Sequence, residues 1–453
     1  MPIKNLVAAQ RTYFNTNRTK DISFRREALE KLLVAIEEHE PAIYEALEKD
    51  LGKCAHESYM TEVGQVKGAI RFAIKNLYKW SKPQRRKTPL SHFPASSYVV
   101  KEPFGVTLIL SPWNYPFFLS MSPLVGAVAA GNCVVLKMSR NSINTSNVIA
   151  SLLNTAFSSN HVCTLDVNTD YSEILSLEYD YIFFTGSERV GRIVMRHASE
   201  SLTPVTLELG GKSPCIIDEN VDLNMAAKKI AWGKILNSGQ TCVAPDYCVV
   251  PASLHDEFIT LLQKYFKEMV PDALNNPEYG RIVNLHHFVR LQKAIDNCSN
   301  VVGGSYDDRK LKIEPSIFPN ASFEDDIMRS EIFGPILPVI PYDDLEEIIT
   351  IIKHRPKPLA CYIFGNSSSF QKKIVHEISF GGGCINNTVI HVANENIPFG
   401  GVGASGMGKY HGKDSFDTFS HDKSILKSAK KALPFMYPPY TSEKKSLTSL
   451  FLR

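Results

Sequence analysis

The sequence predicts an α/β protein built from two parallel-sheet domains and a small excursion. Three observations predict it. Short charge-free apolar runs of strand length recur, bounded by turn residues, as expected for strands buried on both faces. Segments with helical spacing of apolar residues alternate with them. A basic, Pro-punctuated stretch, KPQRRKTPLSHFPAS, breaks the pattern once.

The elements follow in order. Phe24 to Glu38 reads as an amphipathic helix, with Leu29, Leu32, Leu33 and Ile36 at i, i+3, i+4 and i+7. More helix is expected from Glu57 to Trp80. Gly105 to Leu110 is the first buried strand. A helix over Phe117 to Ala130 ends at Gly131, and Cys133 to Leu136 is the second strand. A helix around Thr145 to Phe157, the strands Val162 to Asp166 and Tyr181 to Phe184, and a helix from about Glu188 to Ala198 continue the series. A second series begins at Val205. It holds VTLEL, SPCII, a helix over Leu223 to Leu236, the strand Tyr247 to Val250, a helix over Leu254 to Met269 and later elements up to Asn386. No repeat of fixed period appears.

Composition bounds the function. The 453 residues are 44% hydrophobic and 21% charged, enough for roughly two to four domains with cores that need no staple. A net charge of +3 is small for this length and does not point to nucleic acid. The nine cysteines are odd in number and form no CxxC, which argues against a disulfide framework or a zinc ribbon. Free thiols and an N-terminus without an apolar core predict a cytoplasmic protein. Phe104 to Leu136 carries no charge, yet Pro112, Asn114, Pro116, Pro123 and Asn132 interrupt it, so no transmembrane segment is expected there. The basic C-terminal run TSEKKSLTSLFLR is too short to span a membrane and reads as a frayed tail, with a weak surface anchor as the alternative.

Five segments carry candidate chemistry. In NSGQTCVAPD, Cys242 sits in a polar loop after a helix, where a thiol nucleophile gains access. A free cysteine taken alone is more often a packing residue. In VTLELGGKSP, Glu208 lies inside an apolar run that would raise its pKa toward that of a general base, although most glutamates simply face solvent. The GGKS there is not a P-loop, because the first Gly would fall at Thr206. In SPWNYPF, after the first strand, Asn114 is placed to aim an amide at an oxyanion, or to cap a turn. FTGSERVG sets Gly186 and Gly191 around a strand-to-helix junction of the kind that binds phosphate, but it lacks the G-x-G-x-x-G fingerprint. EIFGP and the Gly-dense PFGGVGASGMG contribute Glu331 and Phe399, the latter suited to lie over a flat ligand. His286 and His287 read as solvated helix residues and His391 as a pocket lining. None of them has metal-ligand spacing, and no metal is expected.

Together and in this order, PWNYPF, GNCVVLK, FTGSERVG, TLELGGKSP, GQTCVAPDY, EIFGP and PFGGVGASGMGKYHGKDSFDTFSH make the chain resemble the aldehyde dehydrogenase superfamily, in its short class 3-type branch. The resemblance runs from about residue 20 to about residue 425. It implies an aldehyde dehydrogenase-like α/β fold: a Rossmann-type cofactor domain at 1–83 and 104–207, and a catalytic domain at 208–395. Bridging segments at 84–103 and 412–428 and a tail at 429–453 complete it. It implies Cys242 as nucleophile, Glu208 as general base and Asn114 as oxyanion donor. Glu331 would hold the nicotinamide ribose, Lys137 the adenosine ribose, and Gly186, Ser187 and Gly191 the pyrophosphate. Phe399 would stand beside the nicotinamide, with Tyr115 and His391 in the substrate pocket. Where the family commonly has a Glu three residues after the lysine, this chain has Arg140, so NADP is expected to be accepted or even preferred, the alternative being that Arg140 turns to solvent and NAD still binds. The aromatic turn with Trp113, Tyr115, Phe117 and Phe118 favours apolar aldehydes. The bridging segments imply a homodimer. A CoA-acylating relative and a catalytically silent member of the fold are the competing readings. The presence of Glu208 argues against the first, and intact Cys242, Glu208 and Asn114 argue against the second.

Overall fold

In the computed structural model, residues 2–428, 430 and 436–451 are described. Part of the tail expected at 429–453 therefore lies outside the described residues. Within that tail, Ser442–Phe451 is a helix that packs on the turn Leu90–His92, not a frayed end.

The first sheet runs Gly406–Met407, Val205–Glu208, Tyr181–Thr185, Val106–Leu110, Cys133–Lys137, Val162–Thr164. All neighbours are parallel except the first pair. The chain enters at Val106–Leu110, winds outward to one side, then crosses back to Tyr181–Thr185. The order therefore reverses between those two strands, and their carboxyl ends open a crevice there. The loops at that point are SPWN, after Leu110, and GSERVG, after Thr185.

The second sheet is wholly parallel, in the order Ser316–Phe318, Ile336–Tyr342, Tyr247–Pro251, Pro214–Ile217, Ala360–Phe364, Gly382–Ile385. A third, antiparallel sheet joins Gln84–Arg86 and Ser420–Lys427 to the two edges of Ser96–Pro103. The excursion after Trp80 is thus a hairpin completed by a strand from the far end of the chain.

Most elements sit where periodicity places them. The uncharged stretch resolves into strand, loop, helix Phe118–Ala130 and strand. No helix among the described residues is long and apolar enough to cross a membrane. The helix expected at Phe24 to Glu38 is longer, Ile22–Leu51. Asp21 caps it by accepting from Phe24 N–H at 2.9 Å, it runs on through Pro41, and it ends at left-handed Gly52. Helix Ile3–Phe14 sets Ile3, Leu6, Val7, Tyr13 and Phe14 on one face against the core, and on that face buried Gln10 donates to the carbonyl of Val134 at 2.9 Å. Residues 412–428 divide in two. Gly412–Thr418 is a helix pressed on Phe118–Ala130 so closely that a Cβ at Gly126 would lie 2.7 Å from Ser415 Cβ. Only Ser420–Lys427 joins the third sheet.

Candidate active site

Register puts the expected residues at one edge. Lys137 pairs with Leu110, Leu110 with Phe184, and Thr185 with Glu208, so all four strands end together at the crevice. Gly186 N–H donates to the Glu208 carbonyl at 3.0 Å, tying the loop after Thr185 to the strand that carries the carboxylate.

A groove of about 250 Å³ opens there. Asn114, Glu208, Cys242, Gly186, Ser187 and Glu331 line it, together with Trp113, His287, Arg290 and Phe333. An apolar cavity of about 270 Å³, walled by Tyr115, Phe118, Trp232, Val389, Phe399 and His411 among others, lies on the far side of Cys242. Cys242 lines both spaces.

Cys242 follows a strained turn. Asn237 and Ser238 both adopt left-handed φ, 51° and 53°. Asn114, buried, donates from Nδ2 to the Gln240 carbonyl at 3.1 Å, which fixes it two residues from the cysteine and leaves its second amide hydrogen for a ligand. Tyr115 bonds Thr241 hydroxyl to hydroxyl at 2.6 Å. Cys242 is half-buried. Burial pushes its thiol up, and the charges of Glu331 and Glu208 push further, while the backbone N–H groups of Cys242 and Val243 pull the other way. Glu208 is almost fully buried and neither carboxylate oxygen has a protein partner. Burial alone holds its pKa well above the ordinary carboxylate range. Glu331 is raised to about 8 by burial and by Asp246, and its Oε1 is also unpartnered.

The groove fits a dinucleotide. Helix Glu188–Glu200 points its N-terminus at it, Ser187 makes no side-chain cap, and Gly191 is packed so tightly that a Cβ would lie 2.8 Å from Leu209 Cδ2. A Cβ at Gly210 would lie 2.1 Å from Glu331 Oε2. Gly210→Ala must therefore displace that carboxylate. Losing a charge-assisted bond of that kind is worth roughly ten- to a hundredfold. We expect KM for the cofactor to rise accordingly with kcat less affected, as initial rates against cofactor concentration will show.

Several positions differ from expectation. Phe399 does not line the groove. It stands in the apolar cavity and stacks on His411, with centroids 5.2 Å apart and planes at 15°. The aromatic in the groove is Phe333, edge-on to Trp113 at 5.4 Å and held at a left-handed φ of 50°. The EIFGP motif contained it. His391 is not a wall of the cavity. It lies behind Phe399 at 5.9 Å, lowered to about 4 by burial, and His411 takes the wall position. His287 is not a solvated helix residue. It packs on Trp113 at 5.1 Å and lines the groove, lowered to about 4 by burial. Phe117 is core, whereas Trp113 faces the groove and Tyr115 and Phe118 the cavity. Lys137 is buried, and its ammonium donates to the carbonyls of Met138 at 3.1 Å and Val167 at 3.0 Å. Arg140 is exposed on the next turn and makes no ion pair among the described residues. No group of three His, Cys, Asp or Glu side chains that could hold a metal ion occurs among the described residues.

The family described as the aldehyde dehydrogenase family matches residues 2–425. The 4,4'-diaponeurosporen-aldehyde dehydrogenase of Staphylococcus aureus is 47% identical over 446 residues, 97% of each chain. The dimeric NADP-preferring aldehyde dehydrogenase of Rattus norvegicus is 41% identical, over 96% of this chain and 98% of that one. The substrate-bound state of Staphylococcus aureus AldH superposes with a TM-score of 0.96 at 45% identity, covering 99% of both chains. The chain therefore belongs to the aldehyde dehydrogenase family, and its activity is the NAD- or NADP-dependent oxidation of an aldehyde.

Proposed function

We propose that this chain oxidises apolar aldehydes, medium- to long-chain aliphatic or aromatic, to carboxylic acids through a covalent adduct on Cys242. The observation that carries this is the placement of Cys242 between an apolar cavity and a polar groove. The aldehyde enters through the cavity, whose wall is aliphatic and aromatic. Cys242 Sγ, as thiolate, bonds the carbonyl carbon. The oxygen becomes an oxyanion and accepts from the free Asn114 amide hydrogen and the Cys242 backbone N–H. One such donor is worth roughly 3–4 kcal/mol. The groove lined by Gly186, Ser187, Glu331 and Phe333 would hold the nicotinamide cofactor, which when bound would supply the acceptor for the hydride that leaves the substrate carbon as the oxyanion collapses to a thioester on Cys242. Glu208 then accepts a proton from water as it attacks the thioester carbon, and the Cys242–carbon bond breaks to return the thiolate and the acid.

In the groove, the Glu331 carboxylate would accept from ribose hydroxyls, and Gly186, Ser187 and Gly191 would present the helix N-terminus to the pyrophosphate. Phe333, which lines the groove, would stand by the nicotinamide end. At the adenosine end Lys137 is committed to carbonyls, so Arg140 is the cation for a 2′-phosphate. A charge-assisted bond of that kind supplies roughly ten- to a hundredfold. Arg140→Glu is therefore expected to lower kcat/KM for NADP by that factor and spare NAD. A wild-type enzyme with strong NAD preference, unmoved by the substitution, removes this role.

The division into a cofactor domain at 1–83 and 104–207, a catalytic domain at 208–395 and bridging segments at 84–103 and 412–428 belongs to the same proposal. So does a homodimer: the third sheet has two open edges, Gln84–Arg86 and Ser420–Lys427, which a partner would cover. Nine free cysteines support a reducing, cytoplasmic setting. A panel of aldehydes of rising chain length, run with NAD and NADP and with or without CoA, tests the proposal. The expected outcome is kcat/KM rising with apolar length and independent of CoA. A CoA-dependent rate would favour an acylating enzyme.

A further inference from the structure

Behind the loop that carries Asn114 lies an ionic pair that the reaction as described does not use. Lys53 sits in the turn after helix Ile22–Leu51, and Glu62 in the π-helical turn Tyr59–Val63. Their side chains are wholly unexposed and meet at 2.6 Å. A buried pair of this kind stabilises a fold no better than apolar residues of the same volume, so its hydrogen bonds must say what it is for.

Those bonds all lead to one loop. Lys53 Nζ also donates to the main-chain carbonyl of Asn114 at 3.3 Å and stands 3.9 Å over the Tyr115 ring. The second oxygen of Glu62 accepts from the N–H groups of Phe117 at 2.8 Å and Phe118 at 3.1 Å, the start of helix Phe118–Ala130, where main-chain donors lack helical partners. The pair thus grips SPWNYPF at both ends of the stretch that aims the Asn114 amide. Asn237 Nδ2 reaches the same Asn114 carbonyl at 2.6 Å, and Glu57, behind it, accepts from Asn237 N–H at 2.7 Å. The loop of Asn114 and the loop of Cys242 therefore share one polar backing.

We propose that Lys53 and Glu62 are positioning residues for the oxyanion step, holding the Asn114 amide against Cys242 from behind without touching substrate. This rests on Asn114 being the oxyanion donor. Glu62→Gln keeps an acceptor for Phe117 and Phe118 but removes the charge that anchors Lys53.

A double-mutant cycle decides it: wild type, Asn114→Ala, Glu62→Gln and the double variant, each measured for kcat, KM and melting temperature. Asn114→Ala leaves the carbonyl that Lys53 binds. The expected result is a kcat at least about tenfold lower in Glu62→Gln with both KM values little changed, and a further loss below about twofold when the same change is made in Asn114→Ala. Lys53→Met in the same cycle carries the test should Glu62→Gln not fold. An equal loss of kcat in both backgrounds, or none in either, overturns the proposal. An Asn114→Ala enzyme of undiminished kcat overturns the oxyanion assignment itself, a distinguishable failure that takes this inference with it.

Discussion

Cys242→Ala abolishes aldehyde-dependent reduction of the cofactor, lowering kcat/KM by at least about 10⁴-fold, the scale of losing a covalent nucleophile. Cofactor binding, followed by fluorescence of the reduced form, persists, because the groove keeps Glu331, Phe333 and the helix N-terminus of Glu188–Glu200. The expectation is specific to this thiol. Cys133, Cys163, Cys215, Cys248 and Cys361 are buried, all five on sheet strands. Cys54, Cys298 and Cys384 are half-buried but line neither the groove nor the apolar cavity. A Cys242→Ala enzyme within a hundredfold of wild type, roughly half the expected loss in free energy, would mean that another group bonds the substrate.

That Cys242, Glu208 and Asn114 meet at one groove was legible from the order of the motifs, since each local environment on its own, a polar loop after a helix, an apolar strand, a turn after a buried strand, fits a packing, surface or capping residue as well. The parallel sheets were legible because two-faced burial writes a charge-free run. What the sequence concealed depends on which way a loop residue faces. Phe399 and Phe333 each stand directly before a glycine, and nothing in their spacing tells that one walls the cavity and the other the groove. The left-handed φ of Phe333 turns its ring into the groove. His391 and His411 differ likewise: Phe399 stacks on the second and screens the first. Lys53 and Glu62 belong to none of the motifs in the sequence. Only the approach of a loop from more than 50 positions along the chain makes them buried partners.

The second large effect is at Glu208. Glu208→Gln keeps the shape of the side chain and removes the base, so kcat is expected to fall by about 10²–10⁴-fold. Its signature is a change of step. Attack by Cys242 and oxidation of the adduct do not need this carboxylate, so mixing enzyme with aldehyde and NAD(P) should give a burst of reduced cofactor near one per active site, followed by a slow steady rate. Mass spectrometry of the quenched protein should find the acyl group on Cys242. The pH dependence follows from the burial that raises the carboxyl of Glu208. The group serves as a base only when ionised, and its pKa lies above the usual range. The deacylation rate of wild type therefore climbs with pH through that raised value, and Glu208→Gln flattens this limb. The rise of the burst rate with pH, which reports the Cys242 thiol pushed up by burial and its acidic neighbours, should survive the substitution and shift downward, since one of those acidic neighbours is gone. A Glu208→Gln enzyme with no burst and no trapped acyl group would place the base function before thioester formation, at the activation of Cys242, and leave the water to be activated elsewhere.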